Sequence, residues 1–207
     1  RANELKRAEQ MLNRYMQYFL DPVERYSYYL TQATIASAKN DDHRSIELLN
    51  KIDVKTLNSA EKTRLELLRA RYFTRLGDHK KALQIIEHLS DPSDEYSLQI
   101  SLIRAVSAEF EGDLTRSSEI LFDAIESASD RLKNADYFCV LNNYGRIQKI
   151  IKNETESLTH YRKALKLAKD LNEKHLMHVA YQNVIPSLVS SHRQDEARQF
   201  ISEYRSI

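Results

Sequence analysis

Few side chains in this sequence are placed to do chemistry. His175 and His178 are three residues apart and would share one side of a helix, half of a metal site. No carboxylate stands at the helical offset of a zinc-protease motif, and the single cysteine, Cys139, cannot build a cysteine-rich cage. Cys139 lies among Tyr137, Phe138, Val140 and Leu141, which predicts a buried structural thiol rather than a nucleophile. Three isolated glycines cannot form a phosphate-cradling loop. The expectation is therefore no catalytic residue, no metal and no cofactor. Amides and guanidinium groups are a different matter. Asn143 and Asn183 stand 40 residues apart, and a side-chain amide both donates and accepts, as an extended peptide backbone requires. Arg71 and Arg146 carry forks that suit carboxylates.

What would position these groups is a repeat. Ala70, Gly77 and Ala82 are followed by Ala105, Gly112 and Ser117, with the same steps of seven and five. The preceding copy is Ala33, Asn40 and Ser45; two later ones are Gly145, Lys152, Ser157 and Ile185, His192, Ala197. The third marks lie 37, 35, 40 and 40 residues apart. Such a period signals stacked helical hairpins. Small residues at the first and third marks let two helix axes approach to ~8–10 Å, and the middle mark must turn the chain. Gly77 with Asp78, and Gly112 with Asp113, predict a glycine ending one helix and an aspartate capping the next. Asn58 to Glu61 and Asn153 to Glu156 read as capping boxes. Larger apolar residues follow each third mark by four and seven, from Leu49 and Ile52 to Ile201 and Tyr204, an amphipathic stripe.

Three glycines and three prolines in 207 residues leave little material for strand hairpins or long loops. Thirty-one basic and thirty acidic residues nearly cancel, so no general attraction to nucleic acid or membrane is implied. One cysteine excludes an internal disulfide and suits a reducing, cytoplasmic compartment. No apolar run approaches the ~18 residues of a membrane span. Twelve tyrosines look like base-stacking platforms, but Tyr144, Tyr161 and Tyr204 fall on repeat core positions, where packing explains them. Pro186 falls inside the first helix of the last repeat and predicts a local bend.

Leu141-Asn142-Asn143-Tyr144-Gly145 with Tyr161-Arg162-Lys163-Ala164-Leu165 downstream, Leu76-Gly77-Asp78-His79-Lys80-Lys81-Ala82, and Asp195-Glu196-Ala197 resemble the tetratricopeptide repeat family, over roughly Tyr26 to Tyr204. The resemblance implies an all-α fold, a right-handed α–α superhelix of about five helical hairpins (26–58, 63–94, 98–130, 138–171 and 178–207) behind an N-terminal helix over 1–21. The family's bulky first-helix residue is matched at Tyr29, Leu141 and Tyr181 but replaced by Glu66 and Ser101, and its glycine survives only at Gly145. Carrying the family's inward-facing positions across gives Ser27, Leu30 and Thr34, then Arg64, Leu67, Arg71 and Arg75. The later repeats supply Gln99, Leu102 and Val106; Asn142, Asn143, Arg146 and Lys149; and Gln182 and Asn183. This surface is basic and amide-rich. Leu67 and Leu102 stand where a chaperone-tail clamp would need lysines, which disfavours that ligand.

The expected function is a protein- or peptide-binding region, the sensory or scaffolding part of a larger bacterial signalling or regulatory protein, because the repeat style resembles arrays attached to such regulators. The alternative is a structural assembly subunit that uses its convex face or its leading helix; nucleic-acid binding through the basic inner surface is disfavoured by the near-neutral charge. In the leading helix Leu5, Ala8, Leu12, Tyr15 and Phe19 form a seam of heptad type, stopped by Asp21-Pro22. That seam fits a lid on the first repeat or a homodimer contact. The chain starts without methionine and reads as a piece of a longer protein.

Overall fold

The computed structural model describes residues 2–15, 21–89, 96–128 and 134–206, and every regular element among them is helical. Phe19 lies outside the described residues, as does the side chain of Tyr15. The chain gathers into two compact units, residues 1–92 and 93–207. Unit 1 holds α1 (Ala2–Tyr15), α2 (Pro22–Ala38), α3 (Asp42–Leu49), a 3-10 turn (Val54–Thr56), α4 (Ser59–Arg75) and α5 (His79–Glu87). Unit 2 holds α6 (Ser97–Phe110), α7 (Leu114–Ser127), α8 (Ala135–Ile150), α9 (Glu154–Asp170), α10 (Lys174–Ser190) and α11 (Gln194–Arg205). Within each unit every helix packs on the next in sequence, and in unit 2 α6 and α10 also touch α8. Two helix pairs make unit 1 behind α1, and three make unit 2.

The middle mark of all five repeats has the backbone the spacing demands. Asn40 (φ 63°), Gly77 (82°), Gly112 (84°), Lys152 (64°) and His192 (57°) are left-handed. The residue after each donates its N–H to the carbonyl five back: Asp41 to Ala36, Asp78 to Phe73, Asp113 to Ala108, Asn153 to Gln148 and Arg193 to Leu188, at 2.8–3.0 Å. This 6→1 closure satisfies carbonyls that a helix end leaves open. A Cβ added at Gly77 or Gly112 would meet nothing within 4 Å, so backbone conformation alone selects glycine there. Lys152 and His192 adopt the same geometry with a side chain, which costs ~1–2 kcal/mol per residue. Lys152→Gly is therefore expected to raise the unfolding free energy by ~0.5–1 kcal/mol, the gain offset partly by a looser unfolded chain. Urea unfolding followed by circular dichroism checks this. The sequence pattern did not mark a sixth such turn, at Asn172 (φ 54°) between α9 and α10.

The caps expected from the sequence form with one exception, while α6, α10 and α11 start without a side-chain cap. Asp41, Asp78 and Asp113 accept from the N–H three residues on at 2.9–3.1 Å. Asn58 and Glu61 form the reciprocal box, both bonds 2.9 Å. Asp21-Pro22 does more than stop a helix, because Asp21 accepts from the Val23 N–H at 2.7 Å and opens α2. The exception is Asn153, expected to box with Glu156. Its side chain makes no cap bond to the helix. Instead its amide donates to Gln148 Oε1 at 3.0 Å, while Gln148 donates to Ser118 Oγ at 2.8 Å. A buried glutamine oxygen needing a donor outcompeted the cap.

The small marks are among the best-buried positions of the described residues. Ala33, Ser45, Ala70, Ala82, Ala105, Ser117, Ser157 and Ala197 are all buried, and Ser45 Oγ donates to the Ala33 carbonyl on the facing helix at 2.8 Å. Ile185, the one bulky first mark, is only half-buried. α10 runs on through Pro186, which lies on its exposed side. The core of unit 1 centres on Leu49, Leu65 and Tyr72, that of unit 2 on Leu121, Val140, Tyr161 and Tyr181.

His160 is a buried titratable member of the second core. Its Nδ1 lies 3.0 Å from the Glu156 carbonyl, and its ring stands edge-on to Tyr144 at 4.6 Å. Burial pushes the imidazole below its ordinary value of 6.5, with Lys163 acting in the same direction and Glu156 opposing. The unfolded chain thus takes up the proton first as pH falls. Stability is complete above pH ~6.5 and is expected to fall as acidity rises through the lowered folded value. Urea unfolding at pH 7.5 and 5 should show a drop that His160→Gln reduces.

Candidate functional site

The positions carried across as a binding surface are concentrated on the first helices of the pairs in unit 2. On α8, Cys139, Asn142, Asn143 and Arg146 recur at helical spacing and are all half-buried, beside the buried stripe of Phe138, Leu141 and Gly145. Cys139, expected to be a buried structural thiol, is half-buried and packs against the edge of the core. Lys149 and Gln182 are exposed, and Asn183 is half-buried on α10.

These side chains are wired across neighbouring helices. Arg146 pairs through both amino groups with both carboxylate oxygens of Glu109 on α6. The Arg146 hydrogen bond holds the Glu109 carboxyl below the usual carboxylate range, and Glu109 raises Arg146 in return, each against the cost of burial. Arg146 also donates to Asn143 Oδ1 at 3.1 Å, and Asn143 Nδ2 donates to the Cys139 carbonyl at 2.8 Å. Gln99 on α6 donates to Asp136 Oδ2 on α8 at 2.9 Å. Asn183 Nδ2 donates to Asn142 Oδ1 at 2.7 Å, joining α10 to α8. Asn183 therefore meets Asn142, and Asn143 turns along its own helix. The mutual bond uses one half of each amide. The Asn142 amino group and the Asn183 oxygen remain, a donor and an acceptor side by side.

Large apolar side chains continue the same helices. Phe110, Ile150 and Val189, at the ends of α6, α8 and α10, are 68%, 47% and 50% exposed. Arg146 to Ile150 is a step of four, so Ile150 lies one turn beyond the polar row of α8. Sequence reading missed these three residues and the partners Glu109 and Asp136. The available signal was complementary side chains one repeat apart: Glu109 and Arg146 differ by 37, as do Gln99 and Asp136.

In unit 1 the expected residues are dispersed. Arg64 is exposed, and the Arg71 guanidinium sits 5.6 Å from the centre of the buried Tyr72 ring. Arg75 joins the end of α4 to the α2–α3 turn, with Nε 2.8 Å from Asp42 Oδ2 and a 3.0 Å bond to Ser37 Oγ. Leu67, expected on the lining, is buried at 2% exposure because its side of α4 faces the interior. Of the paired histidines, His178 lies 2.6 Å from the Tyr204 hydroxyl and 3.2 Å from Gln182 Nε2. Among the described residues no group of three or more His, Cys, Asp and Glu side chains is close enough to hold a metal ion. No helix among them is long and apolar enough to cross a membrane.

No protein-family model matches the chain, and a search of curated proteins finds no match. Solved structures do match. BtubC (BKLC) from P. vanneervenii aligns at a TM-score of 0.63 with 15% identity, over 99% of this chain and 88% of that one. A Signal Transduction ATPase with Numerous Domains protein with a tetratricopeptide repeat sensor, from Pyrococcus horikoshii, aligns at 0.64 with 14% identity, over 96% of this chain and 34% of that one. At such identity the likeness concerns the fold. With hairpins of fixed turn geometry and small residues at the helix contacts, this chain has the fold of a tetratricopeptide-like helical repeat protein.

Proposed function

We propose that the chain is a protein-binding repeat region that receives an extended peptide segment along α6, α8 and α10. The observation that carries this reading is the Asn142–Asn183 pair, which leaves a donor and an acceptor on α8 and α10, in a set of helices whose ends carry the exposed Phe110, Ile150 and Val189. An extended backbone presents the complementary donor and acceptor, and apolar anchors beside satisfied polar groups are the anatomy of a protein interface. Arg146 and Asn143 act chiefly as supports that hold this arrangement. The sensor role of the structurally similar repeat in the Pyrococcus protein suggests a sensory or scaffolding part of a cytoplasmic signalling or regulatory protein. Lys149 adds an exposed cation to this face of unit 2, and Arg64 and Arg71 are exposed cations that unit 1 offers by itself. A peptide-display selection against this chain tests the reading. Selected peptides should bind at least tenfold more weakly to Asn142→Ala/Asn183→Ala and to Ile150→Asp/Val189→Asp proteins of unchanged helicity. Binders indifferent to both variants would move the partner to another surface.

Self-association through α1 is a second reading. Leu5, Ala8 and Leu12 are half-buried, whereas Met11 on another side of the helix is 53% exposed. Analytical ultracentrifugation of the Met11→Glu variant should then show a lower mass than the parent chain.

A further inference from the structure

Unit 2 has a second concavity that the proposed peptide face leaves unused. A cleft of about 840 Å3 lies between α9 and the α10–α11 turn, within the ~300–1,000 Å3 of ligand pockets. Along α9, Thr155, Thr159, Lys163 and Lys166 recur at steps of four, four and three, so hydroxyls and then cations follow one edge. Arg162 lines the same wall, Ser191 and Arg193 come from the turn, and Leu158 gives an apolar patch.

The charges are unequally committed. Arg162 and Arg193 both bind the Glu196 carboxylate, Arg193 through a 2.6 Å bond from Nε, so this acid fixes two cations at the rim. Lys163 and Lys166 are exposed and have no acidic partner within 4 Å among the described residues. The cleft thus gathers four cations against the carboxylates of Glu154 and Glu196.

We infer that this cleft binds an acidic segment of a partner protein. The uncommitted Lys163 and Lys166 are three residues apart, ~4.5 Å along a helix, and their long side chains can spread further at the tips. Alternate side chains on one face of an extended chain are ~6.6 Å apart, so successive acidic groups meet successive cations. The Thr155 hydroxyl can donate to or accept from its backbone, while those of Thr159 and Ser191, which already donate to the Thr155 carbonyl and to Glu154, accept. Among the described residues no Phe, Tyr or Trp lines the cleft to stack a nucleic-acid base; His192 is the one ring there. The site is independent of the α6, α8, α10 face, and either can fail without the other.

The test is fluorescence anisotropy at low salt with a labelled peptide of alternating glutamate and serine, and the same peptide with glutamine for glutamate. The acidic peptide should bind at least tenfold tighter than its glutamine counterpart, weaken as salt is added, and lose at least tenfold on Lys163→Glu/Lys166→Glu. Asn142→Ala/Asn183→Ala should leave it unchanged. Both lysines are exposed, and Lys163→Gln/Lys166→Gln, which should also weaken binding, serves should the charge reversal perturb folding. Equal affinity for the two peptides, no binding of either, or binding unaffected by both lysine variants would overturn the proposal. So would inorganic pyrophosphate binding at these lysines while the acidic peptide does not.

Discussion

Tyr181→Ala is expected to destabilise the protein by ~3–5 kcal/mol, the cost of deleting a large side chain from a filled core. Tyr181 is 1% exposed, with the rings of Tyr204 and Phe200 at 5.3 and 6.1 Å. Removing the ring leaves a cavity that α10 and α11 both border. The hydroxyl matters less. It donates to Glu203 Oε2 at 2.8 Å, while Lys169 Nζ donates to the same oxygen at 2.7 Å. Lys169 first, and Tyr181 second, hold the Glu203 carboxyl below its ordinary value. Because Glu203 is about half exposed, water replaces the lost donor, and Tyr181→Phe should cost no more than ~0.5–1.5 kcal/mol. Chemical unfolding of the two variants separates packing from hydrogen bonding. Equal losses would mean that the polar cluster, not the ring, holds α10 to α11.

Gly145→Val should cost ~1–3 kcal/mol by overpacking. A Cβ at residue 145 would come within 2.9 and 3.0 Å of the Tyr161 ring and 3.2 Å of the Ser157 carbonyl. Tyr161 is 2% exposed, so its ring has nowhere to swing, and the carbonyl belongs to the facing helix. Intrinsic helix preference points the other way, since glycine is disfavoured in a helix interior by ~1 kcal/mol. A destabilised variant therefore shows that helix proximity outweighs propensity here, and a stabilised one would show the reverse. The equivalent first marks in three other hairpins are alanines, Ala33, Ala70 and Ala105, opposite the smaller Leu49, Ile86 and Leu121 at the position of Tyr161. Glycine appears where the opposing residue is largest.

The hairpins were legible in the sequence because each depends on residues close together in the chain. The small marks, the left-handed turn residue and the aspartate caps act within about a dozen positions, so spacing alone locates them. Lys152 and His192 were placed by period although neither residue favours that backbone, and the structure puts both there. The wiring of the candidate face was not legible. Helical spacing shows that Asn142, Asn143 and Arg146 share a side of α8, yet what they touch depends on Glu109 and Asn183, brought by neighbouring helices. Asn153 failed for the same reason: a partner from the packed interior, Gln148, displaced a local cap. Leu67 was assigned by position in a repeat whose bulky core residue is replaced by Glu66, and there the burial pattern departs from the family's.

The account rests on small residues permitting close helix approach, and the most direct measurement is the thermodynamic cycle of Gly145→Ala and Tyr161→Leu. The double variant places at α8 and α9 the same alanine–leucine combination that Ala105 and Leu121 supply at α6 and α7. Each single change is expected to destabilise, the first by crowding and the second by a void. Together they should lose at least ~1 kcal/mol less than the sum of the two, a coupling in the ~0.5–3 kcal/mol range of residues in contact. Losses that add to within ~0.3–0.5 kcal/mol, as for independent sites, would contradict size complementarity as the basis of the repeat.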